Sequence, residues 1–329
     1  MTDLCIFAHY DRDAMVDPYV FHYLKAIRDS GFEIVFVSTV SLNDETTARL
    51  REQCRDVILR SNIGHDFGSW AIGLARHRQQ VRGRLLLAND SVYGPVGSLR
   101  QSIEQLTAAP ADFYGMVLSH EVAPHLQSWF LLFEPHVVGS EAFAEIFCQP
   151  VANRSRDDVI RELELRATSH LQSAGYRCRA LFESGDRRII GNPTVYLWRQ
   201  LVEQDGVPFL KVAILRDDPG WTAQEVKWRP FLEAKDHAIY TLVDGHFRRM
   251  RGGPQVSVKR RNIPAPLLRG YAFVRQYSIT TDDRLVRQQR LILLALHGIL
   301  FGGTDRALRR LFGLVSAAGR GLSALLPRS

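Results

Sequence analysis

The chain has few cysteines, and they stand far apart. The four are Cys5, Cys54, Cys148 and Cys178, with no C-x-x-C pair and no metal-ligand spacing among them. This pattern argues against a zinc module and against the dense disulfide framework of small secreted domains. We therefore expect four buried or unreactive thiols in a reducing compartment.

Long apolar runs and familiar nucleotide motifs are also absent. No stretch of the sequence reaches the roughly 18 apolar residues that suggest a transmembrane helix. Residues 1–10 contain Asp3 where a secretory signal would carry Lys or Arg, so we expect no signal peptide. Neither a G-x-G-x-x-G turn nor a P-loop is present, which argues against a dinucleotide enzyme and a P-loop NTPase.

Charge is unevenly distributed along the chain. The total is +7, yet residues 248–329 carry 16 Lys and Arg against 3 Asp, so residues 1–247 are acidic. A basic tail on an acidic body is typical of a protein with an anionic partner. We expect a membrane surface and no nucleic acid, because no aromatic-interleaved basic strand or known binding motif occurs.

Short apolar runs alternate with amphipathic stretches in the first 90 residues. The predicted strands are residues 4–8, 33–38, 57–59 and 85–88, and the predicted helices are residues 16–29, 44–54 and 67–80. Asp17 before Pro18 predicts the N-cap of the first helix, and Gly31 its end. This order predicts a nucleotide-binding α/β half in which the strands are buried on both faces. Further strands are predicted at residues 112–118, 126–133 and 176–182.

Polar turns follow the third and fourth predicted strands. The first contains Arg60, Asn62, Gly64 and Asp66, and the second contains Asn89, Asp90 and Ser91. Because ligands of open α/β sheets bind at the carboxyl ends of the strands, we expect both turns to form one mouth. Plainer interpretations exist: Asp66 as a helix N-cap, and Asp90 as part of an Asx turn.

Four sequence blocks stand in register over residues 3–220. They are Arg60–Gly68, Asn89–Pro95, His125–Phe130, and Asn192-Pro193-Thr194 with the later Pro208-Phe209-x-Lys211. Together they resemble the rhamnan synthesis protein F family of bacterial polysaccharide glycosyltransferases. The resemblance implies an α/β fold with a GT-A-like, Rossmann-type mixed sheet flanked by helices. It also implies transfer of a sugar, often rhamnose, from a nucleotide donor to a growing glycan.

The blocks supply all of the predicted binding residues except His9, which follows the first predicted strand. The predicted donor-binding residues are His9, Arg60, Asn62, Gly64, Asp66, Asn89, Ser91, Tyr93 and Lys211. The predicted acceptor-binding residues are Gln127, Ser128 and Trp129, with plain core packing as the alternative for Trp129. The expected substrates are a dTDP-, UDP- or GDP-linked sugar and a glycan or lipid-linked glycan.

Asp90 is the predicted catalytic and metal-binding residue. Many GT-A enzymes end this strand with Asp-x-Asp, whereas Asn89-Asp90-Ser91 offers one carboxylate. Mg²⁺ or Mn²⁺ held by Asp90 and phosphate oxygens is one alternative. Metal-free stabilisation of the diphosphate by Arg60, Lys211 or Arg216 is the other.

An inverting transfer needs a general base, because the acceptor hydroxyl must lose a proton as it attacks. Glu121 is our first choice, since it lies in a Pro-containing loop just after a strand. His125 is the second, with an imidazole suited to proton transfer. Asp217-Asp218 resembles the late GT-A loop that closes on the diphosphate, or is a solvated charge pair.

Three regions are predicted: a catalytic domain at residues 1–250, a basic linker at 251–283 and an amphipathic helical tail at 284–329. An apolar stripe beside Arg residues in the tail predicts an interfacial helix on the anionic inner face of the cell membrane. Docking of the tail on the catalytic domain or on a second subunit is the alternative. We expect a cytoplasmic, membrane-peripheral enzyme that works with partner glycosyltransferases.

Two other classes of function stay open at this point. The missing second Asp favours a non-catalytic sugar- or nucleotide-binding subunit of a polysaccharide assembly. The second class is a basic scaffold protein, in which the tail alone carries the function. Slow release of nucleoside diphosphate from a donor would separate a transferase from both.

Overall fold

The computed structural model describes residues 2–120, 123–151, 156–183, 192–216 and 222–251. The predicted base Glu121 and the pair Asp217-Asp218 lie outside these ranges. So do nearly all of the predicted linker and the whole predicted tail, since residues 252–329 are not described.

The described residues contain ten strands, eight of which form one mixed sheet. They are β1 (Asp3–His9), β2 (Phe32–Ser38), β3 (Asp56–Leu59), β4 (Leu85–Asn89), β5 (Val92–Tyr93), β6 (Phe113–Ser119), β7 (His125–Leu126), β8 (Phe130–Phe133), β9 (Cys178–Glu183) and β10 (Leu210–Lys211). The sheet order is β3-β2-β1-β4-β8-β6-β7, with β9 also paired to β6, and β5 and β10 form a separate two-stranded sheet. β1 to β4 are parallel, while β8 runs antiparallel between β4 and β6. The predicted mixed sheet, with parallel strands in its first half, is thereby confirmed.

Helices cover both faces of this sheet. They are α1 (Pro18–Asp29), α2 (Asp44–Arg51), α3 (His65–His77), α4 (Leu99–Thr107), α5 (Pro135–Val138), α6 (Glu141–Phe147), α7 (Arg156–Val159), α8 (Leu165–Ser173), α9 (Pro193–Tyr196), α10 (Trp198–Glu203), α11 (Val212–Arg216), α12 (Thr222–Lys235) and α13 (His237–Arg251). A 3-10 turn, Arg78–Gln80, follows α3, and a π-helical turn, Ile160–Glu164, joins α7 to α8. In the described part of the chain, no helix has the length and apolarity to cross a membrane.

Alternating side chains of the strands build two apolar layers. Phe7 and Phe36 belong to the apolar layer that includes side chains of α1, α4, α12 and α13, whereas Ile6 and Val35 belong to the layer that includes side chains of α3, α6 and α8. Full burial of one such side chain contributes about 1.5–3 kcal/mol to folding. Trp70 of α3 also donates its indole N–H to the carbonyl of Ala88 at 3.1 Å, which fastens α3 across the end of β4.

Three local predictions need correction. β3 is an edge strand, so Leu59 is 50% exposed and the strand is not buried on both faces. Asp17 occupies the N-cap position of α1, but its carboxylate binds Arg249 and makes no cap hydrogen bond. The strand predicted at residues 126–133 is split into β7 and β8, because the chain turns at residues 127–129.

Candidate active site

The two predicted polar turns meet at the carboxyl edge of the sheet. Asn89, the last residue of β4, donates its side-chain N–H to Asp66 Oδ2 at 2.8 Å. β3 and β4 are not neighbours, since β2 and β1 lie between them. Helix α3 crosses this gap and carries Asp66 in its first turn to the end of β4. The structure thus brings Asp66 and Asp90 to one mouth.

The turn before α3 depends on glycine. Gly64 is the N-cap of α3 and has a φ of +77°, in the left-handed region. A Cβ on Gly64 would lie 2.5 Å from Val151 Cβ, so the backbone approaches this neighbour closely. Asp66 lies in the first helical turn and is not the N-cap, although a carboxylate there still favours the helix dipole. Asn62 is exposed beside this turn.

Arg60 holds the same turn together. Its guanidinium donates to the carbonyls of Ile63 at 2.7 Å and His65 at 2.9 Å, and its Nε donates to Ser69 Oγ at 3.1 Å. Burial lowers the pKa of Arg60, and the neighbouring Asp66 opposes that effect. These contacts favour a role in shaping the turn over direct binding of a diphosphate.

Asp90 lies at the centre of the mouth. Its Oδ2 accepts the backbone N–H of Tyr10 at 2.9 Å, and its carbonyl accepts the Tyr19 hydroxyl at 3.0 Å. The Asx turn belongs to Asn89, whose Oδ1 accepts the N–H of Ser91 at 3.1 Å and its hydroxyl at 2.6 Å. The Asp90 carboxylate therefore takes no part in the Asx turn. That turn was the structural alternative to a functional role for Asp90.

The electrostatics of the mouth are dominated by carboxylates. Burial raises the pKa of Asp90 well above its usual value, and nearby Asp66 raises it further, while the Tyr10 N–H opposes both. His9 Nε2 lies 3.9 Å from Asp90, but burial lowers the pKa of His9 to about 4, so the imidazole is neutral at pH 7. A divalent cation with carboxylate and phosphate oxygens as ligands would fit this excess of negative charge.

Lys211 reaches the mouth from a distant part of the sequence. β10 pairs antiparallel with β5, which sets Lys211 opposite Val92. Its ammonium lies 3.5 Å from Ser91 Oγ and 5.8 Å from the centroid of the Trp129 ring. The structure therefore joins the second and fourth sequence blocks at one place.

Several predicted binding residues lie beneath the mouth. The Tyr93 hydroxyl is 2.7 Å from His246 Nδ1, and Tyr93 is fully buried. Gln127 is buried, accepts the indole N–H of Trp129 at 2.7 Å and donates to Asn192 at 2.6 Å. Trp129 is 1% exposed, which favours core packing over sugar stacking on its ring.

The base candidates differ in their placement. His125 is buried, with its Nδ1 2.7 Å from the carbonyl of Ala123. Ser128 is half-buried, and its N–H donates to Glu164 Oε1 at 3.1 Å. Sequence reasoning missed Glu164, because it is one of many charged residues in a helical stretch and no local pattern distinguishes it.

An acidic cluster flanks the mouth. Asp11, Asp17 and His246 bring ligand atoms within 4.8 Å of one another, as a metal site requires. Arg249, however, already binds Asp11 at 2.6 Å, Asp13 at 2.6 Å and Asp17 at 2.5 Å. Burial lowers the pKa of Arg249, but these hydrogen bonds outweigh it and raise the pKa above its usual value. The Arg249 guanidinium thus supplies to this cluster the positive charge that a metal ion would otherwise provide.

Comparison with known proteins places these observations in a family. The family model for rhamnan synthesis protein F matches residues 34–242. Protein y4gN of Sinorhizobium fredii is 28% identical over 191 residues, which is 56% of this chain and 50% of that protein. Virulence protein VirA of Vibrio anguillarum is 27% identical over 254 residues, which is 66% of this chain and 80% of that protein. The match to y4gN thus spans only half of that relative's own length.

Two solved structures are distantly similar in fold. S. aureus TarS has a TM-score of 0.40 and 10% identity, covering 85% of this chain and 80% of that chain. Mannosyltransferase PcManGT from Pyrobaculum calidifontis, in complex with GDP-Man and Mn²⁺, has a TM-score of 0.37 and 11% identity. That likeness covers 92% of this chain and 88% of the mannosyltransferase.

Proposed function

The chain belongs to the rhamnan synthesis protein F family, and from that premise we propose that it is a nucleotide-sugar-dependent glycosyltransferase. The observation that carries the proposal is the hydrogen bond from Asn89 to Asp66, which gathers Asp66, Asp90 and Ser91 at one sheet edge. Carboxylates, amides and a hydroxyl at such an edge suit the ribose and diphosphate of a nucleotide.

Each group at the mouth has a proposed role toward the donor. Asn62 and Asp66 would bind the base or ribose, and Gly64 lets the backbone approach the donor. Ser91 and Lys211 would bind the diphosphate, because Lys211 lies 3.5 Å from the Ser91 hydroxyl. His9, Arg60 and Tyr93 would act by holding these groups in position.

Asp90 would hold Mg²⁺ or Mn²⁺ together with phosphate oxygens of the donor. Such an ion, when bound, supplies positive charge where the diphosphate leaves the sugar. Asp90 fits this role because its carboxylate is 14% exposed and lies near the Asp66 carboxylate. Lys211 would share the neutralisation of the leaving group, and loss of one such donor typically costs about 3 kcal/mol of transition-state stabilisation.

The sugar and its acceptor are proposed on separate grounds. The family description names rhamnan synthesis, so the donor would carry rhamnose or a similar deoxyhexose on dTDP, UDP or GDP. The acceptor would be a growing cell-surface polysaccharide or a lipid-linked glycan. The basic amphipathic tail, residues 284–329, would hold the enzyme on the inner membrane face, beside such an acceptor and partner glycosyltransferases.

A thermal-shift screen tests the donor proposal. We expect one class among dTDP-, UDP- and GDP-sugars to raise the Tm, with a larger rise when Mn²⁺ is present. A donor at a hundred times its Kd adds about 2.7 kcal/mol to the free energy of unfolding. Slow release of nucleoside diphosphate without acceptor is the accompanying activity. Absence of both a shift and release with all three classes would contradict the proposal.

A non-catalytic donor-binding subunit is the second candidate. It is favoured by Asn89-Asp90-Ser91, which provides one carboxylate where many GT-A enzymes have two. A thermal shift with a nucleotide-sugar, but no release of nucleoside diphosphate with or without glycan acceptor, would support this candidate over the enzyme.

A further inference from the structure

Glu164 is a carboxylate that the donor site described above does not use. It ends the π-helical turn Ile160–Glu164, immediately before α8. Single π-turns within helices are rare and are frequently found at functional sites. Glu164 Oε1 accepts the N–H of Ser128 at 3.1 Å, and this bond fixes the carboxylate against the turn between β7 and β8.

Strand register places that turn beside Asp90. Ala88 of β4 is paired with Phe130 of β8 in an antiparallel ladder. Ser128 stands two residues before Phe130, in the turn that enters β8, and Asp90 stands two residues after Ala88, just past the end of β4. The Lys211 ammonium also lies 5.8 Å from the ring of Trp129, the residue after Ser128, and 3.5 Å from Ser91 Oγ. Neighbouring strands lie about 5 Å apart, so the Glu164 carboxylate is held by a residue adjacent to the donor mouth.

A small, mostly apolar cavity lies between Glu164 and helix α3. Its polar lining residues are Ser128, Glu164 and Thr168, and its apolar wall includes Phe67. Phe67 directly follows Asp66 on α3, and it packs in the same apolar layer as α8. Glu164 and helix α3, which carries Asp66, therefore border the same cavity.

We propose, on the basis of the glycosyltransferase function proposed above, that Glu164 is the general base of an inverting transfer. The acceptor sugar's hydroxyl would lie over Ser128, with its proton directed at Glu164 Oε2. The hydroxyl oxygen forms the new bond to the anomeric carbon while its proton moves to Glu164. The bond from that carbon to the phosphate oxygen breaks, and the nucleoside diphosphate leaves with the electron pair.

Glu164 meets the geometric needs of a base better than His125 does. The imidazole of His125 is buried with its Nδ1 on a backbone carbonyl, and Glu121 lies outside the described residues. Glu164, in contrast, is partly exposed and lines a cavity. Its bond to the Ser128 N–H orients one oxygen, as catalytic groups require.

The test compares Glu164→Gln with Glu162→Gln, a change of the same kind in the same π-turn. The side-chain amide oxygen introduced by Glu164→Gln would still accept the Ser128 N–H, so the variant loses basicity and keeps its local structure. We expect kcat for transfer to fall by about 10²–10⁴-fold in Glu164→Gln, and by less than about twofold in Glu162→Gln. The Tm and the thermal shift with the nucleotide-sugar should match those of the wild type in both variants.

Further measurements decide between catalytic and structural roles. Glu164→Ala supplied with formate should regain part of the lost transfer rate, since formate replaces the missing carboxylate. NMR of the product should show an inverted anomeric configuration. Transfer by Glu164→Gln near the wild-type rate, retention of configuration, or an equal loss of donor binding would each overturn the proposal. A wild-type protein that neither binds nor cleaves any donor would instead refute the function on which the proposal rests.

Discussion

Arg249 binds Asp17 at 2.5 Å, although 232 residues separate them in the chain. The same guanidinium binds Asp11 and Asp13, so the last turns of α13 fasten the loop between β1 and α1. That loop includes Tyr10, whose N–H is bonded to Asp90. A contact at the flank of the mouth therefore helps to fix the central carboxylate.

Replacement of Arg249 by Met should destabilise the protein. It leaves three carboxylates without their shared cation, of which Asp17 is 7% exposed and Asp11 is 13% exposed in the side chain. Loss of one partner from such a buried pair costs about 3 kcal/mol. Urea unfolding measures the change. Arg12→Met is the control, because the 61% exposed Arg12 pairs with a half-exposed Asp13 and should cost under about 0.5 kcal/mol.

Asp90→Asn should abolish transfer without destabilising the fold. Because the folded state raises the pKa of Asp90, this residue favours folding at low pH, and its contribution is lost as pH rises through the raised value. The variant lacks that titration, so its Tm should equal or exceed that of the wild type at pH values near neutrality. Mn²⁺ with donor should stabilise the wild type only.

A collapse of the fold in Asp90→Asn would show that the carboxylate is a structural part of the turn. Stability curves of both proteins, measured from acidic to slightly alkaline pH, distinguish the cases. Wild-type stability should decline relative to the variant as pH rises above the usual Asp value of 3.8.

Gly64→Ala should impair both stability and donor binding. The new Cβ would meet Val151 at 2.5 Å and the φ of +77° is strained for any residue with a side chain, so a loss of about 2–3 kcal/mol is expected. Gly97→Ala is the matched control, since its φ is +87° with nothing within 4 Å of the added carbon. A similar loss in both variants would show that backbone strain, and not the close contact, makes Gly64 necessary.

Removal of residues 255–329 should release the protein from anionic vesicles. Each Lys or Arg near such a surface contributes about 1 kcal/mol, and salt weakens that attraction. Liposome flotation of the full chain and of the 1–254 form, at low and high salt, measures the effect. Equal flotation of the two forms would contradict a membrane role for the tail.

Local pattern was sufficient to predict the parallel half of the sheet. The runs at residues 4–8, 33–38 and 85–88 are apolar throughout most of their length, as strands covered on both faces must be. Run length does not reveal which strands are neighbours, so β3 was expected in the interior and instead lies at the edge. Asn89 and Asp90, at the end of β4, could be predicted as site residues because polar groups cluster where such strands end.

Long-range partners could not be predicted from sequence. Nothing around Asp17 distinguishes a helix cap from an ion-pair partner, because the deciding residue, Arg249, lies on the last described helix. Trp129 likewise suits either sugar stacking or the core, and only the packing of Phe209 against it decides. Glu164 likewise becomes a candidate only through its hydrogen bond to Ser128, which is 36 residues away in the chain.

The position of Arg249 matters for anyone who shortens this protein. A form ending at residue 247 would discard the basic segment together with the arginine that restrains Asp11, Asp13 and Asp17. Loss of activity in that form would be attributed to failed membrane binding, although its cause would be a less restrained loop between β1 and α1 beside the donor site. Cutting after residue 254 keeps these two causes apart.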